Sequence, residues 1–235
     1  MRMNAVEIFQ FFQNKGYLKL NPEKIRKSLL RKKQTNGDIE LSLKLMACIA
    51  VLNEVIFPPG NDIAFHFIPG VSKYGFTAQY CPGPGESYDV FVEDISKDVN
   101  HEIQNVKLIL ISEDGELDHS FPRTLEQYSI GTAVHENRHR IQRQKGFRMF
   151  KPGDVETSEG RLKHFLRFVT ILQETTKEYY EEAGKSKYFI SKRMSPVEFD
   201  ARIIEYLAMD MLYRETSLES LIGLVLLQAP LTIKD

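Results

Sequence analysis

The sequence predicts an α+β fold: a small mixed or mainly antiparallel sheet packed on one long helix, between a helical N-terminal segment and a helical C-terminal half. Three observations lead there. Helical spacing of apolar residues runs through residues 4–56. Past Pro58-Pro59-Gly60 the chain turns to short aromatic and β-branched runs punctuated by Gly, Pro, Asn and Asp. From residue 124 onward helical spacing returns, without the strand–helix alternation of a doubly wound sheet.

The first helix carries Ala5, Ile8, Phe9 and Phe12 on one stripe, with Gly16 as its stop. Asn21-Pro22 reads as an N-cap followed by proline at the first helical position. The helix they open presents Lys24, Arg26, Lys27, Arg31, Lys32 and Lys33, a solvated basic face. Asp38 caps a longer helix that buries Leu41, Leu45, Cys48, Ile49 and Leu52. Strands follow at residues 63–68, 74–80, 88–93 and 106–112, and then a polar loop at 113–122. Thr124 and Gln127 form a capping box at the start of a helix reaching Lys145, with Gly146 in the left-handed position beyond it. A helix from Val155 or Thr157 to Glu182 carries His164 at its surface, Ser195 opens another to about Arg214, and residues 218–228 make the last.

With 235 residues, 42% of them hydrophobic, the chain can bury a sizeable core. Residues 1–60 read as a helical N-terminal segment and residues 61–235 as the main domain. A net charge of −1 gives no pull toward nucleic acid or anionic membranes. Cys48 and Cys81 are too few for a disulfide framework, which points inside the cell. The N-terminal stretch holds Glu7 and no small-residue cleavage site, unlike a signal peptide. The longest apolar runs are too short to span a bilayer, so a soluble cytoplasmic protein is expected.

The chemistry centres on His135-Glu136-Asn137-Arg138-His139. Two histidines four residues apart leave one helix face a turn apart and can close on one metal ion, for which zinc is the usual choice. Glu136 stands beside them, placed to take a proton from water. Ile130, Ala133, Val134, Asn137 and Ile141 share a second, mostly apolar face, while Gln142 falls on the histidine face. A third ligand is required. The longer form H-E-x-x-H-x-x-G-x-x-H does not supply it, because Gln142 and Lys145 stand where its Gly and His would be. Glu198, 198 − 139 = 59 residues past His139, sits in the first turn of the helix opened by Ser195. There it can serve either as ligand or as the back-bonding member of a capping box. Asp200 is an alternative ligand or a support for a bound histidine, and Glu205 a further candidate two turns along the same face.

These two stretches resemble the gluzincin type of zinc metallopeptidase, whose thermolysin-like and ImmA/IrrE-like members complete H-E-x-x-H with a glutamate on a following helix. In that plan a small residue lies three positions past the glutamate, as Ala201 does here. Arg202 stands where the family often has Asp or Asn supporting a bound histidine. The resemblance implies a zincin-like domain at 61–235, Zn2+ on His135, His139 and Glu198, Glu136 as general base, and a peptide or protein substrate. It also implies an extended peptide paired with the strand at 106–112, before the motif helix. Tyr188, Tyr206 and His119 are the candidate donors to a transition-state oxyanion; His66 and His101 read as structural or exposed. The rival reading is a non-catalytic interaction protein, its basic helix binding a protein or nucleic acid and its H-E-x-x-H helix structural.

Overall fold

A computed structural model describes residues 2–57, 63–72, 77–105, 108–111, 117–121, 123–145 and 195–226, with isolated positions between 174 and 191. The helix expected over 155–182 falls almost wholly outside them, as do Gly146, His164 and Tyr188.

Helix α1 (Ala5–Leu20) begins with a reciprocal cap. The Asn4 side chain accepts the Glu7 amide at 3.0 Å, and the Glu7 carboxylate accepts the Asn4 amide at 2.9 Å. The helix does not stop at Gly16. It runs four residues further and ends where Asn21 turns left-handed at φ 50, and Pro22 then opens α2 (Pro22–Arg31) as expected. Gly16 is there for packing. A Cβ on it would lie 2.5 Å from the Ala47 Cβ and 2.8 Å from the Ala47 carbonyl oxygen, on α3 (Asn36–Ile56). Gly16→Ala should therefore destabilise by about 1–3 kcal/mol, despite alanine's better helix propensity. The measurement is the urea midpoint; an unchanged or raised midpoint would mean that α1 and α3 separate freely.

The cap of α3 is Thr35, not Asp38. The Thr35 hydroxyl accepts the Asp38 amide at 3.1 Å and donates to the Asp38 carboxylate at 2.6 Å. That carboxylate also accepts the Ser96 amide at 2.9 Å, at the start of α4 (Ile95–Asn105), so Asp38 ties two helix beginnings together. Of the residues expected inside α3, Leu45, Cys48, Ile49 and Leu52 are buried and Leu41 is half-buried. On α2, Lys24, Lys27, Arg31 and the following Lys32 and Lys33 are exposed, while Arg26 donates to Glu40 of α3.

The sheet is mixed. Strand β3 (Ser87–Phe91) lies between β1 (Ala64–Ile68), which runs parallel to it, and β2 (Ala78–Cys81), which runs antiparallel. Its inner face sets Tyr88 opposite Tyr80 and Val90 opposite Ala78. A separate ribbon pairs β4 (Leu108–Ile111) with β5 (Leu117–Phe121). Thus the expected loop at 113–122 contains a strand, and an unforeseen helix, α4, separates β3 from β4. Both left traces. Ile95, Val99 and Ile103 recur every fourth residue, and Leu117, His119 and Phe121 alternate with Asp118 and Ser120.

The motif helix α5 (Leu125–Lys145) starts at the Thr124/Gln127 box, with both reciprocal bonds formed. It packs between α3 and α6 (Pro196–Tyr213), and α7 (Leu218–Leu226) closes one end of the pair. One apolar cluster joins all of these, including Phe9, Ile49, Val134, Ile204 and Val225. No helix among the described residues is long and apolar enough to cross a membrane.

Candidate metal centre

Helix α5 is buried on almost every side from Ile130 to Gln142. Its polar residues must therefore find partners within the protein. On the side expected to be mostly apolar, Asn137 donates to the Ala133 and Ile49 carbonyls and accepts the Tyr88 hydroxyl at 2.9 Å. Arg140, 1% exposed, donates to Asn53 and to the Glu86 carboxylate and lies over the Phe57 ring. These contacts seat α5 against α3 and the sheet.

The other side carries the histidines. Their Nε2 atoms face one another at 3.1 Å, with the rings edge to face. Glu198, from the first turn of α6, brings one carboxylate oxygen to 3.4 Å from His135 Nε2 and the other to 3.6 Å from His139 Nε2. Of the two uses open to the Glu198 carboxylate, it is the face toward the histidines that the geometry shows, and the cap is made by Ser195. The Glu198 backbone amide donates to the Ser195 hydroxyl, which caps the helix, while its side chain turns to the histidines.

Hydrogen bonding at the far ring nitrogens fixes the tautomers. His135 Nδ1 faces the Glu205 carboxylate at 3.0 Å, an acceptor only, so it carries the hydrogen. His139 Nδ1 faces Gln142 Oε1 at 2.9 Å. That end of the amide must be the oxygen, because the other end donates to the Val197 carbonyl at 3.0 Å and to Asp200 at 2.7 Å. Once each ring carries only its Nδ1 hydrogen, imidazoles held this way would point two lone pairs and a carboxylate into one space. Such a space calls for a cation. Tetrahedral bonds of about 2.0–2.1 Å would set neighbouring donors about 3.3 Å apart, and the separations here, 3.1, 3.4 and 3.6 Å, bracket that value. Among the described residues, this is the one grouping of three His, Cys, Asp or Glu side chains suited to a metal.

Protonation follows the same field. Burial alone pushes His135 down, but the bonds to Glu198 and Glu205 outweigh it and hold the imidazole up at about 10, so that a metal would have to displace a proton from its Nε2. His139, buried beside that charge, is pushed down to about 4. Burial pushes Glu205 up, yet the His135 bond and charge, with Arg202 and Arg123, hold it down at about 2.

Glu205 and Asp200, both possible ligands by sequence, stand behind the histidines instead. Glu205 holds His135 directly, one turn past Arg202, the position where the resemblance placed such a support. Asp200, fully buried, pairs with Arg138 at 2.8 and 3.3 Å and is joined to His139 by hydrogen bonds through Gln142. Sequence reasoning missed Gln142 and Arg138. Gln142 was visible as a neighbour of His139 three residues on, but nothing in the spacing showed that its amide would orient the ring.

Glu136 stays outside the donor group. Its Oε2 accepts the Tyr80 amide at 2.6 Å. The Thr77 carbonyl accepts the Phe91 amide, so in the β2–β3 ladder the backbone groups of Gln79 and Cys81 face β3 and the backbone amide of Tyr80 faces off the sheet edge. The strand edge that meets Glu136 is thus β2. Tyr206 is buried beneath the Arg123 guanidinium. His66 pairs with Asp89 and His101 is exposed, whereas the His119 side chain and Tyr188 lie outside the described residues. No protein-family model matches this chain, nor does any curated protein or solved structure.

Proposed function

We propose that this chain is a zinc-dependent hydrolase that cleaves peptide bonds, with His135, His139 and Glu198 holding the ion in a zincin-like domain. The observation that carries the reading is the division of labour along α5 and α6. Three donors converge, while Glu136, from the same five-residue motif, lies outside that group with its carboxylate held by the Tyr80 amide. Two imidazoles and one carboxylate are a donor set that suits zinc. A zinc ion held there supplies Lewis acidity, acidifying water toward a pKa of about 7 and polarising a carbonyl.

The chain's own residues do the rest. Glu205 and Gln142 keep both histidines in the tautomer whose Nε2 offers its lone pair to a metal. Glu136 takes the proton of the attacking water and passes it to the leaving amine nitrogen. An extended peptide meets this base at β2 rather than at β4, since the outward Tyr80 amide already lies against the Glu136 carboxylate. The free thiols of Cys48 and Cys81 fit a reducing cytoplasm.

Metal analysis of the purified protein tests this. It should show about one zinc per chain, lost in His135→Ala and in His139→Ala, together with chelator-sensitive cleavage of unstructured peptides. Full zinc occupancy in both variants would remove the centre, and metal binding without cleavage of any peptide would make the interaction protein the better reading.

A further inference from the structure

Two of the three donors come from different helices, His139 from α5 and Glu198 from α6. One side chain touches the mounting of both. The Gln142 amide accepts from His139 Nδ1 through Oε1, and through Nε2 it donates to the Val197 carbonyl, the residue before Glu198, and to Asp200, two residues after it. Glu205, by comparison, holds His135, and Ser195 caps the helix beginning at the Glu198 amide. The position matters too. A glycine three residues past the second histidine, as in the longer form of the motif, could make none of these bonds.

We propose that Gln142 is the positioning residue that couples the two halves of the metal centre, fixing the His139 tautomer and the seat of Glu198 together. This rests on reading His135, His139 and Glu198 as metal donors. Its three partners admit one orientation of the amide, because Val197 O and Asp200 only accept. Without Oε1, His139 is free to move its hydrogen to Nε2, which closes that nitrogen to a metal. Without Nε2, the first turn of α6 loses its bond to α5 at the residue adjoining the donor. Asp200 then acts on the metal through Gln142, whereas Glu205 acts through His135 and independently of it.

The experiment combines zinc affinity, by competition with a chromophoric chelator, with the visible spectrum of the cobalt(II) form. Gln142→Met keeps the side chain's size and removes all three bonds; Gln142→Glu keeps an acceptor but sets it against Asp200. Each folded variant should bind zinc about 10–100-fold more weakly, with an altered cobalt spectrum. In the Gln142→Met background Asp200→Asn should then add little further loss, whereas Glu205→Gln should add its full effect. Wild-type affinity and spectrum in either folded variant would overturn the proposal, as would full additivity of Asp200→Asn. One arm needs no variant: long-range proton–nitrogen NMR of the zinc-loaded wild type should show the hydrogen of His139 on Nδ1, and coordination through Nδ1 overturns it. A wild type that binds no zinc would instead sink the metal centre itself.

Discussion

Glu136→Gln is expected to leave the fold, the melting temperature and the zinc content essentially unchanged while peptide hydrolysis falls by at least ~100-fold. The amide has nearly the shape of the carboxylate. Its oxygen can still accept the Tyr80 amide that Glu136 Oε2 now accepts at 2.6 Å, so the side chain keeps its place. What it loses is the ability to take a proton at neutral pH. Steady-state kinetics on one cleaved peptide, beside zinc analysis of the same preparation, would decide it. Hydrolysis within a few-fold of the wild type would put the general base elsewhere, and loss of zinc would put Glu136 among the donors.

Glu198→Gln and Asp200→Asn should fail in opposite ways. The first removes the carboxylate that, among the described residues, faces both Nε2 atoms, so zinc should be lost while stability changes little. The second leaves the buried Arg138 guanidinium facing an amide where it had a carboxylate at 2.8 Å. Breaking a buried ion pair from one side costs about 3–5 kcal/mol, so this variant should melt far below the wild type, with zinc affinity reduced only about 10–100-fold. Thermal unfolding with and without chelator separates the two. Normal zinc binding in Glu198→Gln, with complete loss in a folded Asp200→Asn, would exchange their roles.

Local rules placed much of this in the sequence. The four-residue histidine spacing, the Thr124/Gln127 box and the Ser195 cap are decided within one turn of helix, and each stands where the spacing put it. The roles of Gly16, Asp38, Asp200 and Glu205 were not legible in this way. Each depends on a partner far along the chain: Ala47, Ser96, Arg138 and His135. A glycine that stops a helix and one that admits a neighbouring helix look alike until the second helix is in place. The acidic run before Leu117 masked the short alternation of β5, whose backbone bonds are made to β4.

The polar contacts on the far side of α5 make that helix a part with a fixed angular setting. An apolar stripe tolerates a small roll about the axis, since dispersion contacts have no direction; hydrogen bonds do not. With side chains reaching about 5–6 Å from the axis, a roll of about 20° would sweep the histidine tips by roughly 2 Å, the length of a metal–nitrogen bond. Asn137 against Tyr88, and Arg140 against Asn53 and Glu86, resist that roll from behind. The aim of the two imidazoles is therefore set in part by residues of α3 and the sheet. Selection on a metal centre of this build would be felt at Asn53, Glu86 and Tyr88, positions that a search for ligands alone would pass over.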